Sequence, residues 1–170
     1  SKALISAGEM ARIRLNGEII EGRPSGETPM HLKVLQKCPT AKAVVHAHPP
    51  TAIALSIAKP EWDELPRECL SELILACGRI PFVPYARPGT AAMGEVLERY
   101  LPENRILILS RHGALCWGES LEEAYLGMER LEHTCLILAK ALAIGPLTFL
   151  PADEVEYLSE QRKKMGPKVL

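Results

Sequence analysis

The apolar and polar positions of the chain fall into short strand-like runs in its first two thirds and a long helical period near the end. Leu121, Ala124, Tyr125, Met128, Leu131, Cys135, Leu138 and Leu142 recur every three or four residues, which predicts a helix from Leu121 to about Ile144, closed by Gly145-Pro146. Ser120 and Glu123 have the spacing of a capping box at its start. Ile106-Leu107-Ile108-Leu109 is an unbroken apolar run, so a buried strand is expected over 105–110 and a second over 114–117, with His112-Gly113 as the turn. Residues 43–48 (Ala-Val-Val-His-Ala-His) read as a strand stopped by Pro49-Pro50, and Pro50 opens a helix to about Ala58. Upstream, Asn16-Gly17 joins a strand at 11–15 to another strand, a hairpin signal. Thr28 as N-cap and Pro29 as first helical residue begin a helix that turns Met30, Val34 and Leu35 inward, with Pro39 beyond its end. A short helix over 68–77, a proline-marked edge strand over 80–85, a helix over 90–101 and a last helix from 152 to about 164 complete the reading. Strands and helices interleave without repeats or linkers, which predicts one α/β domain over residues 1–170, a central sheet covered by helices.

Composition narrows the class. Apolar residues make up 47% of the 170 and charged residues 24%, an ordinary globular balance, and a net charge of -1 gives no reason to expect a nucleic-acid or membrane partner. The five cysteines are odd in number and form no C-x-x-C pair, which argues against a disulfide framework or a thiolate zinc cage and for a reducing, cytoplasmic setting. The best candidate for a membrane span, 134–150, is broken by Lys140 and Gly145-Pro146, and no secretory leader pattern is expected.

The chemistry concentrates in a few residues. Side chains two apart on a strand share a face, so His46 and His48 project together, about 7 Å apart along the backbone. An H-x-H pair alone is more often two polar residues at a strand end than a metal site. His112, just past a buried strand and before a glycine that permits a tight turn, is the third candidate ligand. Glu27 stands between Gly26 and the helix start, where a carboxylate commonly offsets the helix dipole. Together, three neutral imidazoles bind Zn²⁺ and leave a position open, where the ion stabilises charge on a substrate oxygen while a carboxylate moves a proton. That set suits proton abstraction and carbon–carbon bond chemistry beside a carbonyl. It suits zinc hydrolysis equally, and spacing does not choose between them.

The stretches RPSGETPMHLKVLQKCPTAKAVVHAHPPTAIALS and ILSRHGALCWGESLEEAYLGMERLEHTCLILAKAL resemble the two signatures of the class II aldolase/adducin family, and IPFVPYARPGT resembles its connecting segment. The resemblance implies a three-layer α/β/α domain around a mostly antiparallel sheet, commonly assembled as a homotetramer with sites between subunits. It implies His46, His48 and His112 as ligands of one Zn²⁺ per subunit, with other divalent ions possible, and Glu27 as the proton shuttle. The family's Pro-Ser-Ser-Glu phosphate contact reads Pro24-Ser25-Gly26-Glu27 here, so Ser25 keeps a hydroxyl and Gly26 only its N–H. The implied activity is zinc-dependent cleavage of a sugar phosphate, such as L-fuculose 1-phosphate, to dihydroxyacetone phosphate and an aldehyde through an enediolate. The alternatives on the same scaffold are decarboxylation, dehydration of a methylthioribulose 1-phosphate and 4-epimerisation of a pentulose phosphate. A non-catalytic scaffolding role, as in adducin, is disfavoured by the intact histidines.

Two departures bear on that reading. About forty residues that precede this segment in the family, including a Gly-Asn loop that completes the phosphate site, are expected upstream. The tyrosine that a neighbouring subunit supplies as general acid in fuculose-phosphate aldolases aligns with Leu70. Among the remaining polar residues, His31 lies one helical turn after Glu27 and reads as a partner of that carboxylate, a phosphate contact or a surface residue. His133 reads as structural or interfacial, Cys116 as core, and Arg111 as a steering charge or a plain sheet-edge one. The Glu119, Glu122 and Glu123 cluster is accounted for by the dipole of the following helix.

Overall fold

The computed structural model describes residues 5–169. Its elements are β1 (Arg12–Ile13), β2 (Ile19–Glu21), α1 (Thr28–Lys37), β3 (Ala43–Ala47), α2 (Pro50–Ala58), β4 (Phe82–Val83), α3 (Ala91–Glu95), β5 (Ile106–Leu109), β6 (Gly113–Gly118), α4 (Leu121–Ile144) and α5 (Ala152–Met165). β1 and β2 form a separate hairpin, closed by Gly17 at φ +92° and by Asn16 Oδ1, which accepts from the Glu18 N–H at 3.0 Å.

The main sheet has the order β3-β6-β5-β4. β3 and β5 flank β6 antiparallel, while β4 runs parallel to β5. The sheet is therefore mixed, where a mostly antiparallel one was expected. The cause is the connection: helical residues between β4 and β5 make a crossover, and a crossover returns the chain parallel.

Each face of the sheet carries its own core. Ile106 and Ile108 of β5 point to one side with Ala114 and Cys116, against Ala52 and Leu55 of α2 and Met128, Leu131, Cys135 and Leu138 of α4. Leu107 and Leu109 point to the other side with Leu115 and Trp117, against Met30 and Val34 of α1 and Met93 of α3. Burial on both faces explains why β5 is apolar at every position. The three layers agree with the expected α/β/α architecture.

Local differences have local causes. The helix expected over 68–77 is a tight turn at Arg67–Cys69 followed by a wide one at Leu73–Cys77, which Gly78 ends at φ +72°. The edge strand over 80–85 shrinks to two residues because Pro81 and Pro84 flank it. α1 starts with Thr28 in its first turn, so Glu27 occupies the cap position, and its side chain makes no cap hydrogen bond. α2 has Pro49 at its cap and borrows a carboxylate: Glu132 of α4 accepts from the N–H groups of Thr51 (2.9 Å) and Ala52 (3.1 Å) and from the Thr51 hydroxyl (2.6 Å).

Ser120 caps α4 as expected, accepting from Glu123 N–H at 3.1 Å, but Glu123 does not complete the box. Its carboxylate takes the buried Arg105 guanidinium at 2.7 Å, and Glu119 takes the same guanidinium at 2.9 Å. The acidic cluster is thus more than dipole compensation.

Candidate active site

The site forms where β3 ends and the β5–β6 turn begins. Val44 packs into the α1/α3 core, whereas Val45 and Ala47 pack into the α2/α4 core. Strand alternation then places His46 and His48 on the α1 side of the sheet. His112 follows β5 in the turn, and its N–H donates to Leu109 O at 3.0 Å. Pairing of Ala47 with Ala114 and of Leu109 with Gly113 brings this turn beside the end of β3.

The three imidazoles converge. One ring nitrogen from each of His46, His48 and His112 lies within 4.8 Å of the others. The ring centroids are 4.9–5.2 Å apart. The Nδ1 of His46 faces Ala114 O at 2.8 Å, so it carries the proton and leaves Nε2 as the free donor. That Nε2 is buried without a hydrogen-bond partner among the described residues, as are His112 Nδ1 and Glu27 Oε2. Buried polar atoms without partners are rare in folded proteins, and nitrogens with a lone pair to share are what a divalent metal ion requires. The residues present therefore fit a metal ion bound by His46, His48 and His112, with Glu27 beside it.

Burial favours the neutral form of His46 and His112. It pushes the His46 pKa down to about 4; the Ala114 carbonyl opposes this, His112 and His48 add to it, and Glu27 opposes it. Burial also lowers His112, where Glu27 pulls upward and His48 downward. A base whose pKa is depressed by folding is protonated in the unfolded chain first. The metal-free protein should therefore keep the histidine contribution to stability above about pH 6.5 and lose it as the pH falls toward about 4. Urea midpoints of metal-free protein between pH 7 and 5 test this, and a midpoint that does not move over that range would refute it.

Gly113 is essential for a reason other than the one expected. The turn's left-handed residue is Arg111, at φ +61° with its N–H held by Ser56 Oγ at 2.9 Å. Gly113 instead provides space: a Cβ there would stand 2.5 Å from Ala47 O, 2.8 Å from His48 Cδ2 and 3.0 Å from His46 Cε1. The first of these is backbone and cannot swing away. Gly113→Ala should cost about 1–3 kcal/mol of stability and weaken metal binding about 10- to 100-fold. Calorimetric melting and zinc titration check both effects, and a variant with wild-type metal affinity would contradict the packing argument.

The remaining candidates are placed as follows. Ser25 Oγ accepts from Glu27 N–H at 3.2 Å and Ser25 O from Thr28 N–H at 3.1 Å, so this serine shapes the loop that presents Glu27. Ser25 and Gly26 are exposed at the same edge. His31 stands edge-on to His46 with centroids 6.4 Å apart. His133 is exposed on α4 and lines a cleft of about 510 Å³ that also touches His48. Cys116 is buried in the core. The supporting roles of Ala114, Ser56 and Gly113 come from register and could not be seen in single residues. Only the H-G pair hinted at one of them.

The fold and site define a class: a three-layer α/β domain that gathers three histidines at its strand ends and a carboxylate at the start of a helix. A model of the class II aldolase and adducin N-terminal domain matches residues 1–139, and the chain belongs to that family. It is 31% identical over 157 residues to the 3-oxo-tetronate 4-phosphate decarboxylase of Pectobacterium atrosepticum, covering 91% of this chain and 72% of that protein. Identity to the 5-deoxy-D-ribulose 1-phosphate aldolase of Bacillus thuringiensis serovar kurstaki is 32% over 157 residues, with 91% and 71% covered. Among solved structures, the Escherichia coli protein YgbL superposes with a TM-score of 0.81 at 30% identity, over 91% of this chain and 75% of that one. An L-fuculose 1-phosphate aldolase superposes equally well, at 0.81 with 26% identity over 95% and 75%. Among the described residues no helix is long and apolar enough to cross a membrane.

Proposed function

We propose that this chain is a metal-dependent lyase that breaks a carbon–carbon bond beside the carbonyl of a phosphorylated sugar acid, releasing carbon dioxide. The observation that carries this reading is the pairing of a converged three-histidine site with a single half-buried carboxylate, Glu27, and no proton donor at position 70. Leu70 is partly buried against the α2/α4 core. Aldol cleavage moves two protons: one at the oxygen of the departing aldehyde and one at the carbon left behind. Decarboxylation of a 3-oxo acid moves only the second, because the leaving group is carbon dioxide. One proton carrier suffices for it, and Glu27 is in place to be that carrier.

A bound divalent ion, zinc by the preference of three imidazoles, would supply Lewis-acid stabilisation of the negative charge that develops on the substrate's oxygens. The protein's own residues do the rest. His46, fixed by Ala114 O, and His48 and His112, held close to it, keep the ligand set preorganised. Glu27, on a loop braced by Ser25, delivers the proton to the enediolate carbon. The Ser25 hydroxyl and Gly26 N–H lie on the same loop as donors for the phosphate. Applied to 3-oxo-tetronate 4-phosphate, loss of the carboxyl group and protonation of the adjacent carbon give dihydroxyacetone phosphate.

Aldol cleavage of a ketose 1-phosphate is the second reading, favoured by the similarity to the 5-deoxy-D-ribulose 1-phosphate aldolase. It needs a second proton carrier, one that takes the hydroxyl proton as the aldehyde forms, from elsewhere, such as a second subunit of the family's homotetramer. Zinc-loaded protein offered 3-oxo-tetronate 4-phosphate and, separately, ketose 1-phosphates separates the two: carbon-13 NMR follows released carbonate and a coupled assay follows the aldehyde. Carbonate release supports decarboxylation. Aldehyde release without carbonate would replace it with the aldolase reading.

A further inference from the structure

We infer that Arg87 is the residue of this site that binds an oxyanion of the substrate, its phosphate or its carboxylate. The assignment rests on the reading of the site as one that takes a phosphorylated sugar acid. Besides a bound divalent ion, the ligand histidines, Glu27, Ser25 and Gly26 bring no guanidinium or ammonium group, and the Glu27 carboxylate adds negative charge, so an incoming polyanion needs a further cationic side chain. A guanidinium in the adjoining wall is the side chain best suited to hold a carboxylate or phosphate through paired N–H donors.

The loop 86–90 lies against the loop that bears Ser25 and Glu27. Ala86 is buried in the α1/α3 core, on the same side of the sheet as the histidines. The Thr90 hydroxyl donates to Arg87 O at 2.7 Å, and Gly89 turns the chain at φ +73°. The backbones of Gly89 and Gly26 touch: a Cβ on Gly26 would lie 3.6 Å from Gly89 Cα, and one on Gly89 would lie 3.8 Å from Gly26 O. Arg87 is thus anchored two residues from a point of contact with the loop that bears Ser25 and Glu27. The residue itself is exposed, and among the described residues its guanidinium makes no hydrogen bond or ion pair.

Two other exposed arginines lie near the site, and geometry disfavours both. Arg111 adjoins His112, but its N–H is tied to Ser56 of α2, on the opposite face of the sheet. Arg23 shares the Ser25 loop, but the close contact beside it, Gly22 against Ala11, ties it to the β1–β2 hairpin and not to the loop that bears Glu27. A fixed attachment point lowers the ordering cost of binding.

The test is calorimetric binding to zinc-loaded protein, so it does not depend on turnover. The probes are erythronate 4-phosphate, dihydroxyacetone phosphate and erythronate, which carry both anions, phosphate alone and carboxylate alone. Arg87→Gln should lose about tenfold or more affinity for the probes bearing the anion it holds, and Arg87→Lys should recover part of it. Loss for both phosphates with erythronate unchanged assigns the phosphate; loss for both carboxylates with dihydroxyacetone phosphate unchanged assigns the carboxylate. Affinities within twofold of wild type for all three probes would overturn the proposal. So would a larger loss in Arg111→Gln or Arg23→Gln, or a wild type that binds none of the three. Failure of decarboxylation alone leaves this binding result standing.

Discussion

Glu27→Gln is expected to bind zinc as the wild type does and to lose about 10²- to 10⁴-fold in turnover. The carboxylate ends the loop before α1 yet does not cap it, and its Oε2 is buried with no partner among the described residues. A carboxylate that serves neither helix nor salt bridge is free to carry a proton. Glutamine keeps the shape and removes that capacity. It also removes the charge that raises the proton affinity of His46 and His112, so protons should compete no better for the ligand nitrogens. The half-reaction is observed without any choice of substrate: in heavy water, proton NMR follows exchange of the hydroxymethylene hydrogens of dihydroxyacetone phosphate. Zinc-dependent exchange in the wild type should vanish in Glu27→Gln while metal analysis shows equal zinc. Undiminished exchange in the variant would remove Glu27 from the mechanism.

Much of this site was readable because its ligands obey local rules. The alternation of β3 puts His46 and His48 on one face whatever the tertiary structure does. His112 was readable only as a strand-end histidine beside a glycine, and its meeting with the pair depends on the β3–β6–β5 register. The reason for Gly113 was misread because a turn glycine normally supplies a positive φ. Here the crowding of two strands and two rings demands the missing side chain, and Arg111 takes the strained angle.

In the fold, long periodic elements were legible and short ones were not. α4 has the bounds its periodicity predicts, and α2 runs from Pro50 to Ala58 as its prolines imply. The segment 67–77 has apolar residues at nearly every position after 72, a pattern without period, and tertiary packing folds it as two turns. The parallel β4–β5 pair was implicit in a helix between two strands, yet the family resemblance pointed toward a mostly antiparallel sheet. The least legible feature was Arg105, because nothing in its neighbourhood distinguishes a buried arginine from a strand-end charge.

Arg105→Met is expected to destabilise the fold by about 3–5 kcal/mol, the cost of removing one partner from a buried charge network. For a domain of this size that corresponds to a fall in Tm of about 6–20 °C. The Arg105 side chain is 4% exposed and its partner Glu123 9% exposed, so neither charge is relieved by water. The guanidinium also lies 4.7 Å from the centre of the Trp117 ring. Glu123 accepts in addition from the N–H groups of Glu119 (2.8 Å) and Val169 (3.1 Å), so one carboxylate ties β5, the start of α4 and the C-terminal segment together. Methionine fills part of the volume and leaves that carboxylate buried with only amide donors. Adding Glu123→Gln removes the stranded charge, and the double variant should recover part of the loss, a coupling that urea denaturation reads as a double-mutant cycle. A single-variant cost below about 1 kcal/mol would place the pair with exposed ion pairs. Arg105 precedes β5 whereas His112 follows it, so the two stand at opposite ends of the strand. The folded fraction of Arg105→Met should therefore keep its zinc, which separates loss of fold from loss of site.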